Sequence, residues 1–144
     1  MDIRGRCHCG NIAFRLCWRP EPDAIPARAC GCTFCTKHGG VWTSCATGTL
    51  EVGVADLALV SSYGFGTGTA DFRVCARCGV VPLVTSTIDG TEYAVVNVNA
   101  FEGVDPALLR PLPASFDGES EGDRLARRQR NWIRNVRHVP RGSL

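Results

Sequence analysis

The sequence predicts a mainly β fold, made of antiparallel sheets and closed by one C-terminal helix, and three observations lead there. Short runs rich in Val, Ile, Thr and aromatic residues recur along the chain, separated by Gly, Pro or Asp. Three groups of closely spaced cysteines punctuate those runs. From residue 121 onward the composition changes to an Arg-rich stretch carrying an apolar stripe at helical spacing.

Taken in order, strands are predicted near 2–6, 11–18, 41–46, 48–53, 57–62, 69–74, 80–86 and 92–99. The run from Asn11 to Trp18 alternates, so Ile12, Phe14, Leu16 and Trp18 share one face. Residues 21–26, with two prolines, read as a surface connection. Gly64-Phe65-Gly66-Thr67-Gly68 reads as a loop; no helical pattern follows it, so it is not a phosphate cradle. Ile88-Asp89-Gly90-Thr91 is a hairpin signal between two strand-like runs. Pro106 through Pro113 reads as one helical turn before a loop rich in acids, Gly and Ser. A long final helix is predicted, capped by Asp123, with Leu125, Gln129, Trp132, Ile133 and Val136 on its apolar stripe. Six arginines, Arg124, Arg127, Arg128, Arg130, Arg134 and Arg137, then cover its solvated side. The expected organisation is a β unit over residues 1–115 and an extension over 116–144 whose amphipathic helix packs on it.

Composition narrows the function. At 144 residues and 44% hydrophobic, the chain can bury a core of its own. No run approaches the roughly 18 apolar residues of a membrane helix. The polar start, Met1 to Arg6, lacks the apolar stretch of a secretory signal, so the expected location is the cytoplasm. Residues 1–120 hold nine basic and twelve acidic side chains, whereas 121–144 hold seven arginines and two acids. The body is therefore not a polyanion binder by charge.

Nine cysteines is an odd number, which excludes complete disulfide pairing, and in a reducing compartment clustered cysteines are metal ligands or catalytic thiols. The groups are Cys7-His8-Cys9-Gly10, Cys30-Gly31-Cys32-Thr33-Phe34-Cys35 and Cys75-Ala76-Arg77-Cys78-Gly79. Two sulfurs one or two residues apart can face one ion, and the Gly after them lets the chain turn tightly with its amides toward the sulfurs. By count and by their matching Cys-Gly ends, Cys7, Cys9, Cys75 and Cys78 make a closed tetrahedral zinc site. Cys30, Cys32 and Cys35 make a three-ligand site with an open position, the form of a catalytic zinc. Other divisions stay open, among them two structural sites with His38 or Cys45 as the eighth ligand. A redox Cys-x-x-Cys at Cys75–Cys78 lacks its usual βαβ surroundings. Cys17 and Cys45 read as small buried side chains, and His8 as a surface residue.

At these residues the chain resembles the glutathione-dependent formaldehyde-activating enzyme family, which includes centromere protein V. The resemblance lies in Gly5 to Gly10 with the strand to Leu16, in Cys30 to Gly40, and in Cys75 to Gly79 with the Val-Asn run around Asn97, covering roughly residues 3–110. It implies an Mss4-like fold of β-sheets with zinc knuckles. It implies two zinc ions per chain, a structural one on Cys7, Cys9, Cys75 and Cys78 and a catalytic one on Cys30, Cys32 and Cys35. The implied activity is a carbon–sulfur lyase reaction joining formaldehyde and glutathione as S-hydroxymethylglutathione.

The residues suit that chemistry, because zinc polarises a carbonyl oxygen or holds a thiol as thiolate. Lys37, the only lysine, and the Gly39-Gly40 amides are candidate donors to a bound thiolate. The expected partners are a small thiol and an aldehyde, with no membrane, and with self-association through the last helix left open. The alternative is a non-catalytic zinc-stabilised module for nucleic acid or protein, supported only by the Arg-rich helix. The absence of basic-aromatic interleaving argues against nucleic acid.

Overall fold

The computed structural model describes residues 1–144. Twelve strands form two sheets, and two helices lie among them. The strands are β1 (Asp2–Arg6), β2 (Ile12–Cys17), β3 (Ile25–Cys30), β4 (Val41–Thr43), β5 (Thr49–Val54), β6 (Val60–Tyr63), β7 (Asp71–Cys75), β8 (Leu83–Ile88), β9 (Thr91–Asn97), β10 (Phe101–Glu102), β11 (Leu109–Ala114) and β12 (Asn135–Pro140). Helix α1 is Thr33–His38 and α2 is Glu121–Asn131. One sheet has the order β10-β1-β2-β5-β12, and the other β11-β3-β4-β9-β8-β7-β6.

The main core lies between the sheets. Phe14 and Leu16 of β2, Ile3 of β1, Leu50 of β5, Leu83 of β8 and Val96 of β9 are each at most 1% exposed. Burying one such side chain contributes about 1.5–3 kcal/mol. Strands β8 and β9 are buried on both faces over most of their length; β9 accordingly carries the apolar run Tyr93 to Val96, and β8 buries Thr85 and Ser86 beside Leu83 and Val84. Leu83, Ala94 and Val96 face the main core, whereas Val84 and Val95 join a second, smaller core with Cys35, Trp42, Phe72 and Val81. That second core borders the cavity described below. The hairpin between β8 and β9 is as expected: Ile88 pairs with Thr91, and Asp89 and Gly90 both take positive φ.

The structure departs from the expected elements in the C-terminal third and at β3. Two strand pairs are parallel, β11 with β3 and β12 with β5. Each joins strands far apart in sequence, which gives the long connection that parallel pairing requires. Residues 25–30 form β3 and not the end of a surface connection; β4 pairs only with Arg28 and Ala29, so Pro26 lies outside that ladder. The stretch 106–113 holds a short 3-10 turn at Pro106–Leu108 and then β11. Pro111 and Pro113 sit at alternate positions of this edge strand, where a missing N–H costs no ladder bond and blunts the open edge.

The final helix is shorter than its sequence suggests. Ser120, not Asp123, caps it, and its hydroxyl accepts the Asp123 amide at 3.1 Å. It ends at Asn131 because Ile133 exchanges two 2.9 Å backbone hydrogen bonds with Ala94. Arg134 and Arg137 therefore lie beyond the helix, and Asn135–Pro140 is a strand. Gln129, placed on the apolar stripe, is exposed, whereas Arg128 is buried. No helix is long and apolar enough to cross a membrane.

Candidate functional site

The Cys-Gly turns behave as their chemistry demands. Gly10 has φ +82° and Gly79 has φ +80°, left-handed conformations that favour glycine. The Gly10 amide donates to Cys7 O at 3.0 Å, and the Gly79 amide to Cys75 O at 2.7 Å. These turns bring Cys7, Cys9, Cys75 and Cys78 together, with all four sulfurs within 4.8 Å of one another. Cys7 and Cys75 are fully buried and belong to the main core.

The sulfur spacing suits a shared ion. Cys9 and Cys75 sulfurs are 3.5 Å apart, and Cys7 and Cys9 3.8 Å, far beyond the roughly 2.05 Å of a disulfide. A tetrahedron with zinc–sulfur bonds of about 2.3 Å has edges of about 3.8 Å. Local dipoles divide the sulfurs. Burial pushes the Cys7 thiol up to about 12, although the Ile12 amide donates to its sulfur at 3.3 Å. Burial also opposes charge on Cys78, yet the amides of Cys9 and Val80 and the thiols of Cys75 and Cys7 outweigh it and bring Cys78 down to about 6.

The second group forms where β3 runs into α1. Cys30 ends the strand, Cys32 caps the helix, and Cys35 lies one turn further on. Their sulfurs also lie within 4.8 Å of one another. The Cys35 amide donates to the Cys32 sulfur at 3.3 Å, and the Trp42 indole N–H donates to the Cys35 sulfur at 3.4 Å. The hydrogen bond from Cys35 brings Cys30 down to about 5 despite burial, while the same bond and burial push Cys35 up. All nine cysteines are free thiols. A donor set of clustered, partly ionised thiols fits zinc, so the residues suit two metal sites.

The two groups differ in their surroundings. Cys30, Cys32 and Cys35 line a cavity of about 480 Å³, whereas none of the other four does. Trp42, Phe65, Phe72 and Trp132 form much of the remaining wall.

Other expected residues are placed less centrally. Neither His38 nor Cys45 joins the three-cysteine group. The His38 ring packs on Phe34 at 4.4 Å, and burial lowers its pKa. Cys45 is buried and Cys17 half-buried, while His8 is exposed. Lys37 is exposed and does not line the cavity. The Gly39 and Gly40 amides both donate to Cys35 O, so they are not free to meet a thiolate.

The residues missed from sequence are the cavity's arginines, Arg28, Arg124, Arg127 and Arg128. The expected helix turned this charge toward solvent; the actual helix docks by its Arg124, Arg128 and Trp132 side, with the Arg128 guanidinium 5.0 Å from the Trp132 ring centre. The signal available was the i, i+4 spacing of Arg124, Arg128 and Trp132.

Comparison with known proteins adds two findings. The family model described as glutathione-dependent formaldehyde-activating enzyme matches residues 2–116. A crystal structure of a Rhodobacter sphaeroides protein is similar at 30% identity and a TM-score of 0.56, covering 72% of this chain and 92% of that one. No curated protein matches.

Proposed function

Since the chain belongs to the glutathione-dependent formaldehyde-activating enzyme family, a membership that supports a function related to glutathione and formaldehyde, we propose that it catalyses reversible carbon–sulfur bond formation between a glutathione-like thiol and a small aldehyde. The observation that carries this reading is the contrast between the two cysteine groups. Four sulfurs converge beside the main core, two of them buried in it, and line no part of the cavity, whereas the other three lie on the wall of a cavity large enough for a small molecule.

On this reading Cys7, Cys9, Cys75 and Cys78 hold a structural zinc and Cys30, Cys32 and Cys35 a catalytic one. A zinc held by those three sulfurs would supply Lewis-acid chemistry beside the cavity. The thiol sulfur bonds to the aldehyde carbon, the carbonyl π bond opens, and the thiol proton ends on the former carbonyl oxygen. Trp42 holds the Cys35 sulfur in place, and the Cys35 amide holds that of Cys32. Phe65, Phe72 and Trp132 shield the reacting atoms from water. Residues 116–144 act as an extension that closes the cavity of the 1–115 unit. Nine free cysteines suit a reducing cytoplasm.

The test is direct. Zinc-loaded protein mixed with formaldehyde and glutathione should form the hydroxymethyl adduct, followed by NMR, faster than the same mixture without protein. An unchanged rate at full metal occupancy rejects this substrate pair.

A further inference from the structure

Arg128 is a buried cation without an acidic partner. It is 6% exposed and forms no ion pair. Its Nη1 carries all its hydrogen bonds, to Thr69 O at 3.1 Å, Thr69 Oγ1 at 2.8 Å and Ser86 Oγ at 3.2 Å. Its Nε is buried with no acceptor. A guanidinium removed from water in this way is costly unless an anion meets it. Burial brings its pKa down to about 10, which leaves it charged at neutral pH.

Two half-buried neighbours are also poorly matched by acids. Arg124 Nη2 donates to Phe116 O at 3.1 Å, but its Nε is buried without a hydrogen-bond acceptor, and its single ion pair, to Glu119, is long at 3.7 Å. Glu119 instead spends both oxygens on Arg127, at 3.0 and 3.2 Å. Arg28 has no ion pair and lies two residues before Cys30 on β3, so the two side chains share a face of the strand. Four arginines line the cavity, and Asp117 is its one lining carboxylate. Three of the four come from α2, which lies beyond the matched residues 2–116.

We propose that Arg28, Arg124 and Arg128 form an anion subsite that seats a carboxylate of the substrate, so that the cavity selects carboxylate-bearing thiols over neutral ones. The thiol part rests on the proposed function; the anion part rests on the arginines alone. Guanidinium groups suit this task because their planar donors match two carboxylate oxygens. The cavity is thereby polar at its arginines and apolar along its aromatic wall, a division that orients a ligand with one charged end.

S-methylglutathione keeps both carboxylates of glutathione but has no thiol to react, and its diethyl ester lacks both charges. Binding of each to the zinc-loaded protein is read from tryptophan fluorescence, since Trp42 and Trp132 line the cavity. The acid should bind at least about tenfold more tightly than the diester, and added salt should shrink the difference. Arg28→Gln and Arg124→Gln should each weaken binding of the acid by about tenfold and leave the diester unchanged. Arg130→Gln, on the exposed side of α2, should change neither. Arg128→Gln removes bonds that tie α2 to β8, so the two less buried arginines carry the test. Equal binding of acid and diester, no binding of the acid to folded protein, or unaltered binding in both variants overturns the subsite. Arg-dependent binding without accelerated adduct formation upholds the subsite and rejects the proposed reaction.

Discussion

The Trp42 indole N–H points at the Cys35 sulfur from 3.4 Å, and both side chains are buried in the smaller core. The bond links a strand of the seven-stranded sheet to α1, and it fixes one sulfur of the three. Trp42→Phe keeps most of the ring packing and removes the donor. Metal affinity at Cys30, Cys32 and Cys35 should fall about tenfold, because outer partners of a metal ligand contribute on that scale. Competition with a chelator measures this, and circular dichroism should show an unchanged fold. Unaltered affinity would assign Trp42 a packing role only.

The two cysteine groups should separate under mutation. Cys7→Ala strikes a fully buried residue of the main core and should prevent stable folding, since a structural metal held there would be coupled to folding. Cys32→Ala should release one metal equivalent and leave the thermal midpoint within a few degrees. Elemental analysis together with thermal unfolding reads both outcomes. Equal loss of folding in the two variants would contradict the division into structural and catalytic sites.

Ile133 is fully buried and bridges Ala94 through two backbone hydrogen bonds. Ile133→Ala should cost about 2–5 kcal/mol in denaturant unfolding, the range for truncating a buried aliphatic side chain. The same residue ends α2 and starts the run into β12, so the loss should also speed amide exchange in both elements. Exchange confined to residue 133 itself would argue against this linkage.

Hydrogen bonding from Arg127 holds the Glu119 carboxyl below the ordinary glutamate range. A depressed carboxyl stabilises the fold above its unfolded pKa of about 4.3, and that contribution is lost as pH falls through the folded value. Wild type should therefore be more stable than Glu119→Gln at pH 7, and the gap should close between about pH 5 and pH 3. Unfolding curves for the pair across that range give the result, and a gap independent of pH would show that the charge is not responsible.

Local pattern carried most of the β elements. Alternation placed Ile12, Phe14, Leu16 and Trp18 on one buried face, and Asp89-Gly90 marked its hairpin, because both signals depend only on neighbours in the chain. Cysteine spacing was legible for the same reason, since two sulfurs two or three positions apart meet through a single turn. The strands β3, β11 and β12 were not legible. Their prolines and short apolar content make weak strands alone, and partners distant in sequence supply their ladders.

What the amino-acid order by itself determined is therefore the β class, the three cysteine groups and the presence of a helix near the end. What only the tertiary structure decided is which way that helix faces. An arginine-rich surface reads as solvated when burial is unknown, because an isolated buried charge is costly. Docking Arg124, Arg128 and Trp132 over the Cys30, Cys32 and Cys35 wall makes it instead the cationic side of a cavity. Pairing of Ile133 with Ala94, on a strand about forty residues earlier, sets that orientation.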